Sequence, residues 1–255
     1  MKLNIIIIIT LLIACSLFSI QDQEKLSFNI RYGIISAAEA ELFARYIIHS
    51  DSIYTEPIEA LKVTSRAETY SFFDVFFKVR DRIVSISEQD SGKAIFYEKN
   101  LREGGYKQRR LHYYDRENEN CIYQKWSFGR EEFSTENIPI PQDTYDFLGA
   151  FYYIRQQELE VGDTLRMTMS GDGVTFDANI VVHKREKLKT IFGKKHCIKI
   201  EPQLAGETIF KNSGKIFIWL TDDEYKIPVK MESEVKFGSF VADLKDAENV
   251  GLKKK

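Results

Sequence analysis

The stretch "GDGVTFDANIVV", residues 171–182, decides the fold. Gly171-Asp172-Gly173 is turn chemistry. After it, Val174, Phe176, Ala178, Ile180 and Val182 alternate with Thr175, Asp177 and Asn179. A period of two makes a strand with one apolar and one wet face.

The same alternation returns on both sides of this stretch. Leu26, Phe28, Ile30 and Tyr32 alternate with Lys25, Ser27, Asn29 and Arg31 before Gly33, and Ile227, Val229 and Met231 face away from Lys230 and Glu232. Turn signals fall between such runs at Asp90-Ser91-Gly92, Glu103-Gly104-Gly105, 117–120, Phe192-Gly193-Lys194 and Asn212-Ser213-Gly214. Their spacing predicts about a dozen strands in a meander of hairpins. One segment breaks the pattern: in 141–163, Phe147, Leu148, Phe151, Tyr152 and Arg155 recur at helical spacing after Asp143, a suitable N-cap. We expect a helix over 143–157 and a shorter helical turn at 71–77. The fold class is therefore all-β, a large curved antiparallel sheet or incomplete β-barrel with one amphipathic helix on its concave side.

Three features invite a catalytic or binding role and read more simply otherwise. Asp222-Asp223-Glu224 separates an apolar run, 216–220, from an alternating one, so it is expected to be a hairpin tip rather than an acidic site. The basic-aromatic run 101–117 reads as a solvated strand face, with binding of an anionic headgroup or glycan as the minority reading, and a net charge of -2 with mixed signs gives no case for nucleic acid. The four His (49, 112, 183, 196) are scattered, and no nucleophile elbow or zinc spacing occurs. No catalytic residue, metal ligand or cofactor is assigned. Cys121 and Cys197 sit in expected strands and are read as buried thiols, with a disulfide between them left open.

The chain opens "MKLNIIIIITLLIACSLFSIQDQ". The apolar run from Ile5 to Ile20 is short and terminal, as in a secretory signal. Leu12-Ile13-Ala14-Cys15 matches lipoprotein processing after Ala14, which would leave Cys15 lipidated; cleavage near Ser19 to Gln21 is the rival. The expected organisation is a signal over 1–20, one β-rich domain over 21–246 and a frayed polar tail over 247–255. The mature chain has no run long enough for a transmembrane helix. The expected location is exported, in the periplasm or at the outer membrane.

Several phrases in fixed order resemble an exported bacterial family called domain of unknown function 3108. They are "LSFNIRYGIISAAEAEL", "FFKVRDRIVS", "YEKNLREGGYKQRRLHYYDRE", "FLGAFYYIR", "VGDTL" and "IWLTDDEYKIPVKMESEVKFGSF". The resemblance runs from Leu26 to Leu244 and departs at Ser36-Ala37-Ala38, where the family pattern calls for a Gly-containing turn. It implies no activity and transfers no catalytic residue. More distantly, the run Trp219-Leu220-Thr221-Asp222-Asp223 with Ile227-Pro228 is similar to periplasmic lipoprotein carriers, which implies an open barrel holding acyl chains.

The functional expectation is an exported envelope protein that binds a lipid or other amphipathic ligand without catalysis. Its rivals are an envelope scaffold or assembly factor that holds a protein partner, and a hydrolase of glycans or lipids. Phe147, Phe151 and Tyr152 with Trp219 are the candidate lining; ordinary core is the competing reading of the same four residues.

Overall fold

Fifteen strands form one sheet in the computed structural model, which describes residues 20–204, 214–235 and 238–255. The first eight are β1 (Glu24–Tyr32), β2 (Ile35–His49), β3 (Ile58–Thr69), β4 (Arg80–Glu88), β5 (Ala94–Glu103), β6 (Tyr106–Asp115), β7 (Asn120–Ser127) and β8 (Glu132–Pro139). The rest are β9 (Thr144–Tyr145), β10 (Thr164–Gly171), β11 (Val174–Thr190), β12 (Gly193–Leu204), β13 (Ile216–Thr221), β14 (Pro228–Glu234) and β15 (Ser239–Glu248). Two helices interrupt them, α1 (Ser71–Asp74) and α2 (Phe147–Ile154). The quoted stretch is the β10–β11 turn followed by the start of β11, with Phe176, Ala178, Ile180 and Val182 buried.

Strand order is β8-β7-β6-β5-β4-β3-β2-β1-β15-β14-β13-β12-β11-β10-β9. All neighbours are antiparallel except β9, which runs parallel to β10 through Thr144–Thr168 and Tyr145–Met169. The order makes the sheet curl. Its two edge strands, β8 and β9, are separated only by residues 140–143, a link that reaches at most roughly 17 Å when extended. Side chains and main chain bridge the seam. Tyr114 Oη donates to the Ser170 carbonyl at 2.9 Å and Thr175 Oγ1 to that of Pro139 at 3.3 Å. Asp172 meets Lys99 Nζ at 2.7 Å and Arg110 Nη1 at 2.9 Å. Gly173 has φ +86°, and a Cβ there would stand 2.8 Å from the Tyr123 ring, so a residue without one belongs at this crossing.

The helix lies inside the curl and is shorter than the spacing predicts. Its N-cap is Asp146, not Asp143: Asp146 Oδ1 accepts from Leu148 N at 2.9 Å and Gly149 N at 3.0 Å. Thr144 and Tyr145 are drawn into the sheet beside β10, and the helix starts only after them. Ala150 and Ile154 belong to one apolar cluster with Val182, Ile198, Ile200, Ile218 and Leu220, and Tyr152 to another with Ile20, Ala44, Leu61 and Val63.

Local details bear out the turn readings that fall within the described residues. Thr221 Oγ1 donates to Asp223 Oδ1, which also accepts from Tyr225 N, as an Asp that caps its own hairpin tip. Gly33, at φ +58°, turns β1 into β2. The Ser36-Ala37-Ala38 departure falls on a bulge, where Ile30 and Arg31 pair with Ala38 and Ser36 and Ala37 is left over. The closing residues, expected as a polar tail, make contacts with the sheet. Ala247 ends in β15, Val250 is buried, Asn249 Nδ2 donates to the Gln23 carbonyl and Lys255 N to that of Ile191. Residues 1–19, with the expected signal and Cys15, lie outside the described residues, as do Asn212 and Ser213 of one predicted turn.

Candidate functional site

On β1, β11, β13 and β15 the helix-bearing face of the sheet is apolar and its accessibility rises toward one end, while β4, β5 and β6 place Ser85, Lys99 and His112 on the same face. Leu26 and Phe28 of β1 are fully buried, Ile30 is partly buried and Tyr32 is 41 % exposed. On β13, Leu220 is at 0 %, Ile218 at 8 % and Ile216 at 39 %. Leu244, Ala242 and Phe240 on β15 repeat the gradient, as do Val182, Phe176 and Val174 on β11. These are same-face positions by the two-residue repeat, and the pairings Tyr32–Phe240, Ile30–Ala242, Ala242–Met231 and Met231–Ile218 carry the face from strand to strand. The rings of Tyr32 and Phe240 meet at 5.2 Å on the lip. The result is a mouth with an apolar wall at the end where β1 joins β2 and β14 joins β15.

The helix supplies the inner wall. Phe147 packs between Tyr97 and Phe176, its ring 6.2 and 6.0 Å from theirs. Phe151 touches three separate apolar clusters and stands edge-on to Tyr152 at 5.6 Å, yet it keeps part of its surface open, as do Phe147 and Leu148. Tyr152 is fully buried, with the Arg155 guanidinium 4.9 Å from its ring. The helix thus gathers Phe147, Phe151 and Tyr152. Trp219 is not with them. It alternates with Ile218 and Leu220 and so takes the opposite face of β13, where its Nε1 donates to Glu186 at 2.7 Å. The ammonium groups of Lys199 and Lys230 lie 4.9 and 4.3 Å from its ring. The unbroken apolar run 216–220 hides this from sequence, because both faces of β13 are apolar.

Polar groups inside the curl are structural in their bonding. Ser85 Oγ donates to Asp146 Oδ2 at 2.8 Å, and burial raises the Asp146 carboxyl to about 6 against the bonds it accepts. At the helix C-terminus, Arg155 makes a bidentate pair with Glu24 and donates to the Lys226 and Tyr225 carbonyls. Sequence reasoning missed this pair, and a charged residue on the apolar stripe of a helix was the signal for it. His112 is fully buried; Gly173 N donates to its Nε2 at 3.3 Å, and burial lowers its pKa to about 4. His49 and His183 pair with Asp51 and Glu201. Among the described residues no cluster of three His, Cys, Asp or Glu is placed to hold a metal. Cys121 and Cys197 are buried free thiols, with pKa values raised by burial to about 12 and about 11.

Two polar depressions lie away from the mouth. One, of about 140 Å³, is lined by Ser27, Glu39, Glu41, Arg66 and Lys245; the other, of about 260 Å³, by Tyr54, Glu88, Lys93 and Arg116. Their charged walls do not suit an acyl chain, so the mouth with its apolar wall is the better candidate.

The family model for DUF3108, described as a protein of unknown function, matches residues 27–245, and the chain belongs to that family. None of the curated proteins matches it in sequence. A β-barrel-like protein of domain of unknown function DUF1849 from Brucella abortus has a similar structure: TM-score 0.57 and 11 % identity over 88 % of this chain and 96 % of that one. That likeness concerns the fold. A Bacteroides fragilis protein with a YmcC-like fold aligns at TM-score 0.31 and 13 % identity over 89 % of this chain and 96 % of that one.

Proposed function

We propose that this member of the DUF3108 family is a non-catalytic binding protein of the cell envelope, and that its mouth admits an acyl chain or another amphipathic ligand. One observation carries the reading: the apolar face grows more accessible toward the lip, and Phe147, Leu148 and Phe151 of the inner helix keep open surface at the centre of the fold. A sheet that served only as scaffold would gain by closing over such a surface, since roughly 25 cal/mol is gained per Å² of apolar area removed from water. Phe147 and Phe151 line the ligand space in this proposal, Tyr152 backs them as core, and Trp219 plays no part.

Export is part of the proposal, and Ile20 bears on its details. Ile20 is 1 % exposed and belongs to one apolar cluster with Ala44, Leu61, Val63 and Tyr152. Its carbonyl accepts from Tyr46 Oη at 3.2 Å. A signal cut that removes Ile20 leaves a hole in the core, whereas processing at Cys15 or after Ser19 retains it. The proposal puts the mature protein in the periplasm or at the outer membrane.

The test is native mass spectrometry of protein isolated without detergent, followed by lipid extraction. The expected result is a retained acyl lipid, or uptake of a fluorescent fatty-acyl probe that added fatty acid displaces. Protein that carries no lipid and takes up no probe would overturn the proposal.

A further inference from the structure

Apart from Ile48 and Val161, every exposed large apolar side chain among the described residues lies at the mouth end of the sheet, on a strand end or in the connection next to it. The strand order places the connections β7–β8, β5–β6, β3–β4, β1–β2 and β14–β15 side by side along that rim. They carry Phe128; Tyr106; Phe72, Val75, Phe76 and Phe77; Ile34 and Ile35; and Val235, in that order. The β3–β4 connection is the most prominent, with Phe72 at 71 %, Val75 at 84 % and Phe76 at 75 % exposed. It is held rather than loose. Tyr70 N donates to the Ala37 carbonyl, Gly104 N donates to that of Lys78, and Phe77 rests against Gly104.

We infer that this rim is a membrane-docking surface that sets the mouth against the interface of an anionic lipid bilayer. Exposed apolar area on this scale marks a binding surface, and two features select a bilayer as the occupant. The apolar side chains sit on separate short protrusions around an arc, whereas the core of a protein–protein interface is continuous and closely packed; a fluid interface admits each protrusion independently. Charge is the second feature. Lys78, Arg102 and Lys107 are exposed beside Phe77 and Tyr106, suited to anionic headgroups. The nearby acid Asp74 is tied to Arg80, and Glu132 to Arg130, while Asp81 and Glu103 stand together on the inner side of the same arc. The inference stands on the rim alone and does not require the interior to hold a ligand.

The experiment uses the protein as isolated from cells, with a tryptophan placed by Phe76→Trp or, on the far rim, by Ile48→Trp. Vesicles contain phosphatidylethanolamine and phosphatidylglycerol with or without brominated chains. Quenching of the tryptophan at 76 and not at 48 is expected, together with at least about tenfold weaker vesicle binding for Phe72→Ser/Val75→Ser/Phe76→Ser, as the apolar area of three side chains implies. Quenching at 48 as strong as at 76, no quenching at either, or unchanged binding by the triple variant would overturn the inference. So would a wild-type dimer that the triple variant dissociates, which would make a second copy the occupant. Loss of acyl-probe uptake with vesicle docking intact would count against the proposed function and leave this inference standing.

Discussion

Arg155 and Glu24, 131 residues apart, meet inside the curl as a bidentate ion pair with both N–O distances 2.7 Å and neither side chain exposed beyond 1 %. The pair ties the start of β1 to the end of α2, and Arg155 also holds the β13–β14 hairpin by two carbonyls. Removing one partner strands the other charge. Arg155→Met or Glu24→Leu should therefore cost about 3–5 kcal/mol, and the double variant clearly less than the sum, because an uncharged pair needs no partner. Denaturant unfolding of the three variants measures both quantities.

Asp146 should give the protein a titration in the acidic range. Burial lifts its folded pKa to about 6 from 3.8, so the folded state holds this proton more tightly than the unfolded chain. Below about pH 4 both states are protonated and the site carries no penalty. As pH rises toward about 6 the unfolded chain releases its proton first, so stability falls through this window and stays lower above it, by on the order of 1–3 kcal/mol. Asp146→Asn keeps an acceptor for Leu148 N and Gly149 N and should flatten that slope; Asp146→Ala loses the cap and should cost about 1–2 kcal/mol or more. Thermal unfolding from pH 4 to 7 separates the two.

Much of this architecture is legible in sequence, for physical reasons. The alternation at 26–32 and 174–182 survives because each strand has one wet face, and Gly or Asp at 92, 104, 172 and 223 marks turns that the fold uses. The helix is legible, but its start is not. Local chemistry at Asp143 is as good a cap as at Asp146, and pairing of Thr144 and Tyr145 with β10 decides between them. Which edges meet depends on contacts such as Tyr114–Ser170 that no local pattern encodes. Of the candidate site, the shared helix of Phe147 and Phe151 is legible from their spacing. The mouth is not, because it depends on which strands stand beside Tyr32 and Ile216. Trp219 misleads for the same reason: a run apolar on both faces does not say which face is inward.

Ile20 makes a prediction about processing. The mature protein should retain it, so intact mass and N-terminal sequencing should find a chain that begins at or before Ile20. Ile20→Ala should cost about 2–5 kcal/mol, as for a large-to-small change at a closed site. If the mature chain begins at Gln21 or later with unchanged stability, the packing of Ile20 is not what secures this end.

The thiols give a further check. Cys121 and Cys197 are at 0 % exposure with pKa values near 12 and 11, so neither should react with a thiol reagent while the chain is folded. Both should react once it is denatured without reductant, since no disulfide joins them. Cys15 is counted separately through Cys15→Ala.

The interior proposal is decided by comparing a truncation with an enlargement. Phe151→Ala at a tight core position would cost roughly 3–5 kcal/mol, because a cavity is left behind. Phe151 borders open surface, so about 1–2 kcal/mol is expected, together with weaker uptake of an acyl probe. Ala242→Trp works from the other side. Ala242 lies on the same apolar face, partly buried, paired with Ile30 and Met231. In a close-packed interior an indole there would overpack and cost about 1–3 kcal/mol. In an open mouth it would be accommodated with little loss of stability and would occupy the space of the ligand. Near-native stability with probe uptake abolished is the expected pairing. A strongly destabilised Ala242→Trp beside a Phe151→Ala that loses the full core penalty would mean that the helix and sheet form a filled core, and the binding proposal would fall.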